Sequence, residues 1–83
     1  MRDEQLRNTM KVERARRNLT QADLAGLAGV TRRSINAIES GRMIPSVLLA
    51  MKIARALQVT VESLFVLESS SDAEAAEGRA SGG

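Results

Sequence analysis

The chain has 83 residues, enough for one small domain that buries only about 60% of the surface its unfolded form exposes. It contains no cysteine and no histidine, which excludes a disulfide framework, a thiolate metal site, and the usual metal ligand and general base of enzymes. The formal net charge is +2, made up of eleven basic and seven acidic residues up to position 68 (+4) and one basic against three acidic residues beyond it (−2).

The two ends of the chain contain little that could form a core. Residues 1–7 predict a flexible N-terminal arm, and the tail SSSDAEAAEGRASGG predicts a disordered, mildly acidic segment over residues 69–83. No apolar run approaches the roughly 20 residues needed to cross a bilayer, and the polar start MRDEQLRN lacks the apolar region of a signal peptide. We therefore expect a cytoplasmic protein that makes no membrane contact.

Between these ends, helix-capping residues recur at short intervals and predict five short helices in a domain over residues 8–68. Asn8 or Thr9 can cap the first helix, which continues through MKVERARR and stops at Asn18. Asparagine tolerates the left-handed conformation that often follows a helix end.

A short turn separates the second and third helices. Thr20 caps the second helix, Asp23 three residues later resembles the other half of a capping box, and Gly29 ends the helix. Thr31 caps the third helix and Gly41 closes it. The third helix is therefore about two and a half turns long and begins with a pair of arginines.

The last two helices follow a proline. Pro45 interrupts the chain, Ser46 caps the fourth helix VLLAMKIARAL, and Thr60 caps a short fifth helix VESLF. No segment alternates with period two for long enough to predict a sheet, although FVLE could form a brief terminal strand. The predicted fold class is all-α.

The second and third helices, TQADLAGLAGVTRRSINAIES, resemble a helix-turn-helix of the lambda-repressor-like family, also called the Xre or Cro family. The stretches LTQADLA, GVTRRSINAIESG and PSVLLAMKIARALQVTVESLF carry this resemblance, which covers residues 8 to about 66. Six positions match the motif without a gap: Gln21, Ala25, Gly29, Val30, Ile35 and Glu39. The resemblance implies a five-helix lambda-repressor-like DNA-binding domain.

The resemblance also implies that a recognition helix over residues 31–40 lies in the major groove of DNA while the preceding helix crosses the phosphate backbone. The base-facing positions of the family correspond to Arg32, Arg33, Asn36 and Ala37. An arginine can bind O6 and N7 of guanine, asparagine can pair similarly with adenine, and alanine can contact a thymine methyl group. Two alternatives stay open: both arginines form only a solvated face, or one of them binds phosphate and the other a base.

The resemblance further implies which residues contact phosphates and which stabilise the fold. The predicted phosphate contacts are Gln21, Thr31, Ser40 and Arg42; such contacts fix the register of a protein on DNA without reading its sequence. Arg14 and Glu39 match the positions of a structural ion pair, in which removal of one partner leaves a costly unpaired charge.

The fourth helix is apolar nearly all round, which requires burial on more than one side. We expect Leu48, with Val66 and Leu67, to contribute to a homodimer contact that places two recognition helices about 34 Å apart on a palindromic site. A slightly larger intramolecular core is the alternative. Gln58 departs from the family, which usually has glycine after this helix, so the left-handed turn there costs more or the junction differs.

The sequence thus predicts a sequence-specific, double-stranded DNA-binding transcriptional regulator. The alternative is a protein-interaction module on the same fold, such as an antitoxin or a coactivator-like bridge. Catalysis is not expected, because the serine and threonine hydroxyls have no histidine to activate them. No cofactor, metal or small-molecule ligand is indicated.

Overall fold

A computed structural model describes residues 4–69 of the chain. The elements in chain order are β1 (Glu4–Asn8), α1 (Met10–Arg16), α2 (Gln21–Ala28), α3 (Arg32–Glu39), α4 (Val47–Leu57), α5 (Val61–Leu64) and β2 (Phe65–Ser69). The five predicted helices are all present, and the all-α class is confirmed, with a small two-stranded sheet added. Residues 70–83, most of the predicted tail, lie outside the described residues. No helix in the described part of the chain is long and apolar enough to cross a membrane.

Hydroxyl side chains begin the helices α2 to α5, as the sequence predicted. Thr20 accepts a 3.0 Å hydrogen bond from the Asp23 N–H, and the Asp23 carboxylate accepts one of 3.0 Å from the Thr20 N–H, which completes the capping box. The other three caps are Thr31, Ser46 and Thr60, which accept from the backbone N–H groups of Ser34, Leu49 and Ser63 at 3.1 Å. Each bond satisfies a backbone donor that the first turn leaves unpaired.

Helix α1 begins differently. Thr9 occupies the N-cap position but makes no capping bond with its side chain. The Asn8 Oδ1 atom instead accepts a 3.2 Å hydrogen bond from the N–H of Met10, and its Nδ2 donates to the Ile38 carbonyl at 3.1 Å. Asn8 therefore joins the start of α1 to the last turn of α3.

Four helix ends use the left-handed conformation. Asn18 has φ of 55°, Gly29 has φ of 71°, Gly41 has φ of 79° and Gln58 has φ of 59°. Because glycine adopts this conformation without steric cost, only Asn18 and Gln58 are strained. The junction after α4 thus keeps the left-handed turn although Gln58 replaces the expected glycine.

The core lies where α2 to α5 meet beneath α1. Its fully buried large side chains are Met10, Leu24, Ile35, Ile38, Ile53, Leu57 and Leu64. Ala25, Ala28 and Ala54 are also buried and let helices approach closely. Since α2 packs against both α3 and α4, the orientation of α3 is fixed by the core.

Residues 4–7 differ from the predicted flexible arm, because they form most of β1. This strand pairs antiparallel with β2, so that Leu6 lies opposite Leu67 and Asn8 lies opposite Phe65. The brief strand expected at FVLE is confirmed, and it extends through Ser69, the first residue assigned to the tail. The prediction of a flexible arm was wrong because EQLRN contains only one apolar residue and so shows no strand pattern. Its conformation depends on β2, which is distant in the sequence.

Candidate nucleic-acid interface

Helix α3 has one buried and one exposed face. The turn before it is closed by a 3.0 Å hydrogen bond from the Val30 N–H to the Ala25 carbonyl. Ile35 and Ile38 are buried against the core. The predicted base-contacting residues Arg32, Arg33 and Asn36 are exposed, whereas Ala37 is half-buried. The packing of the isoleucines therefore directs the arginine-bearing side of α3 away from the protein.

Arg32 and Arg33 are concentrated at the first turn of α3. Neither side chain makes a hydrogen bond or an ion pair within residues 4–69, and no acidic residue is present in this turn. Together with Gln21 and Asn36 they line a shallow depression. The structure thus brings three predicted base contacts and one predicted phosphate contact onto a single surface.

Arg14 and Glu39 meet behind this surface. The Arg14 Nε and Nη2 atoms donate to the two carboxylate oxygens at 2.6 and 3.0 Å, and Nη1 donates to the Leu19 carbonyl at 2.9 Å. Their side chains are only 15% and 8% exposed. The hydrogen bond that Arg14 donates to the Glu39 carboxylate raises the pKa of Arg14 above its ordinary value, against the opposing effect of burial. The pair ties α1 to the end of α3.

A chain of hydrogen bonds runs outward from this ion pair. Gln21 Nε2 donates to Glu39 Oε1 at 3.3 Å, and Asn36 Nδ2 donates to Gln21 Oε1 at 3.2 Å. Arg42 Nη2 donates to Asn36 Oδ1. This chain of hydrogen bonds could not be predicted from the sequence, because its members come from α2, α3 and the following loop and share no spacing pattern.

Two predicted phosphate contacts already use their hydroxyl groups. Thr31 accepts from the Ser34 N–H at 3.1 Å and donates to the Ser34 Oγ at 2.9 Å. Ser40 donates to the Ala37 carbonyl at 3.2 Å. Both residues are exposed beside α3. A phosphate bound at either hydroxyl would have to replace one of these bonds.

The residues predicted to form a dimer contact are exposed but do not share one face. Leu48 is 64% exposed, Leu67 65% and Val66 47%, so Leu48 does not enlarge the intramolecular core. Leu67 lies opposite Leu6, which lines an apolar groove against α4. Because neighbouring strand residues point to opposite faces, Val66 points away from this groove.

A metal site is not found in the part of the chain that the structure describes. No group of three or more histidine, cysteine, aspartate or glutamate side chains in residues 4–69 could hold a metal ion. The chemistry available at the exposed face of α3 is that of guanidinium and amide groups, which bind phosphates and base edges.

Comparisons with known proteins agree with this geometry. The Helix-turn-helix family model HTH_3 matches residues 10–64. An uncharacterised HTH-type transcriptional regulator of Methanocaldococcus jannaschii is 48% identical over 63 residues, which cover 76% of this chain and 96% of that protein. YgzD, an uncharacterised HTH-type transcriptional regulator of Bacillus subtilis, is 43% identical with the same two coverages.

A solved structure has the same fold. The restriction-modification controller protein C.AhdI from Aeromonas hydrophila matches with a TM-score of 0.65 at 30% identity, over 68% of this chain and 85% of that one. The predicted resemblance is therefore confirmed by sequence and by structure. The chain belongs to the HTH_3 helix-turn-helix family, the lambda-repressor-like or Xre/Cro group of transcriptional regulators, and it is not an enzyme.

Proposed function

We propose that this protein binds a palindromic operator in double-stranded DNA sequence-specifically, as a homodimer with α3 of each copy in the major groove. The observation that carries the proposal is the pair Arg32 and Arg33. Both are exposed at the first turn of α3, and their side chains make no hydrogen bond or ion pair within residues 4–69.

The position of these arginines is unfavourable for the isolated protein. The N-terminal end of a helix carries a partial positive charge, and a cation there loses about 0.3–1 kcal/mol of stability. No acidic residue in the first turn of α3 compensates. Binding to the negative potential of the major groove offsets this cost, because guanine presents two acceptors to an arginine.

Operator sequences should therefore contain guanines in each half-site. A bidentate arginine–guanine contact discriminates against other bases by about 1–3 kcal/mol. Thr31, Ser40, Arg42 and Gln21 surround α3 and supply the proposed phosphate contacts. Because an arginine that neutralises a phosphate releases counterions, affinity should fall as salt concentration rises.

Selection of bound fragments from random DNA tests the proposal. Repeating the selection with Arg32→Ala and with Arg33→Ala should abolish preference at one base pair per half-site in each variant. Uniform weakening across all sequences would reassign that arginine to phosphate. If the parent protein shows no preference for any sequence at low salt, sequence-specific regulation is the wrong function.

The homodimer rests on exposed apolar surface. Val47, Leu48 and Met51 are all exposed on α4, beside the groove lined by Leu6. Leu67 extends this surface on the strand opposite Leu6, whereas Val66 points to the other face of the sheet. Burial of such side chains between two copies would stabilise the dimer by about 25 cal/mol per Å² of apolar surface, before the cost of association.

Sedimentation equilibrium tests the dimer with a matched pair of variants. Leu48→Asp should yield a monomer, whereas Leu27→Asp should not, because Leu27 is equally exposed at 62% but lies on α2. A monomeric parent at high micromolar concentration would exclude a stable dimer off DNA. It would also make the α4 surface available to a different protein, the feature on which a protein-interaction module would depend.

A further inference from the structure

The hydrogen-bond chain beside α3 bears on what Asn36 does in the DNA complex. We propose that Asn36 is a positioning residue that holds the Arg42 guanidinium for a DNA phosphate, and that it does not itself read a base. The inference rests on the proposed function, since it assumes that this face of α3 meets DNA.

The buried carboxylate of Glu39 sets the direction of the whole chain. An ionised carboxylate accepts hydrogen bonds and donates none. Gln21 must therefore turn its amide nitrogen toward Glu39, where Nε2 lies 3.3 Å from Oε1. Its Oε1 consequently faces outward. The Gln21 orientation is thus fixed by an ion pair that is almost entirely removed from solvent.

The same reasoning fixes Asn36. Gln21 presents an acceptor, so Asn36 must turn its Nδ2 inward, at 3.2 Å. Its Oδ1 then faces outward as the acceptor for Arg42 Nη2. Every donor in the chain points toward Glu39, and each amide is used at both ends.

The backbone of Arg42 is also held in place. Its N–H donates to the Ala37 carbonyl at 2.9 Å, and the N–H of Met43 donates to the same carbonyl at 3.1 Å. Gly41, with φ of 79°, makes the turn that allows this return. Arg42 is therefore held against α3 at two points, by its backbone N–H and by the guanidinium at the end of its side chain.

Base reading by Asn36 would compete with this arrangement. Bidentate pairing with adenine requires Oδ1 to accept from N6 and Nδ2 to donate to N7. In the structure Oδ1 already accepts from Arg42 and Nδ2 already donates to Gln21, so adenine would have to share both atoms with these partners and use the one lone pair and the one N–H that remain. Phosphate binding by Arg42 leaves the chain intact, because a guanidinium has five donors and Asn36 uses one.

The chain itself can be tested in the protein without DNA. Arg42→Ala should shift the side-chain amide resonances of both Asn36 and Gln21 in nitrogen–proton NMR spectra. Arg55→Ala is the matched control, since Arg55 is an exposed arginine on α4 and outside the chain, and it should leave both resonances in place. Unchanged Asn36 and Gln21 amides in Arg42→Ala would overturn the proposal.

The DNA role is tested with a double-mutant cycle on a selected operator. Asn36→Ala and Arg42→Ala should each weaken binding about threefold to tenfold for all sequences, and the double variant should bind no more than about twofold more weakly than Arg42→Ala alone. The cost of Asn36→Ala should instead multiply with that of Arg33→Ala. Arg42→Ala should reduce the slope of log affinity against log salt by about 2 for the homodimer, which is about 1 for each copy.

Two results would overturn the positioning role: independent costs for Asn36→Ala and Arg42→Ala, or loss of preference at one A·T pair in Asn36→Ala alone. Failure of the proposed function would give a different result: the parent protein would show no preference for any DNA sequence. In that case the cycle and the salt slope on bulk DNA still measure whether Arg42 depends on Asn36.

Discussion

Neutralising Glu39 should destabilise the protein far more than neutralising an exposed carboxylate. Glu39→Gln keeps the side-chain volume but removes the charge that faces Arg14, and two charge-assisted hydrogen bonds are lost or weakened. Such bonds contribute about 1.5–3 kcal/mol each, and breaking a buried ion pair costs about 3–5 kcal/mol. We expect the free energy of unfolding to fall by about 3 kcal/mol.

Urea unfolding followed by circular dichroism at 25 °C measures this change, with an unchanged slope showing that the unfolded state is comparable. Glu68→Gln is the matched control, because Glu68 pairs with Arg7 while both side chains are more than half exposed. Its cost should stay below about 1 kcal/mol. Similar costs for the two variants would refute the claim that burial makes the Arg14–Glu39 pair a structural requirement.

Three further predictions concern individual residues. Gln58→Gly should raise stability by about 1 kcal/mol in urea unfolding, because glycine removes the strain of a left-handed residue; no gain would mean that Gln58 is not strained. Asn8→Ala should lower it by about 1–2 kcal/mol, since the Ile38 carbonyl loses its 3.1 Å donor; a neutral result would show that water replaces Asn8. Hydrogen bonds from Thr20 lower the pKa of Asp23, so the carboxylate should stabilise the fold above its unfolded pKa of about 4 and lose that effect as pH falls through the lowered value. The stability difference between the parent and Asp23→Asn should therefore shrink in acid, and a pH-independent difference would contradict this.

Features that depend on neighbouring residues could be predicted from the sequence. The capping threonines act on N–H groups three residues away, and Gly29 supplies a conformation that other residues avoid. Ile35 and Ile38 follow the spacing of one helix face. These local rules gave the five helices and, through the motif register, the family.

Features that depend on residues distant in the sequence could not be predicted. Strand β1 exists because β2 lies beside it, and its own sequence contains almost no strand pattern. The exposure of Leu48 depends on which face of α4 the rest of the chain covers. The bonds between Gln21, Asn36 and Arg42 require three elements to be placed before any contact can be recognised.

The contacts of α3 are divided between its two ends in a way that suits a recognition helix. Its last turn is held by Asn8 at the Ile38 carbonyl and by Arg14 at Glu39. Its first turn has the Thr31 cap and two exposed arginines. Because the anchors are remote from the charges, the side chains at the start of α3 can face DNA without supporting the core. A helix fixed in this way would lose little conformational entropy on binding, so in the proposed function the unfavourable charge at its start serves recognition while contacts at its other end stabilise the domain.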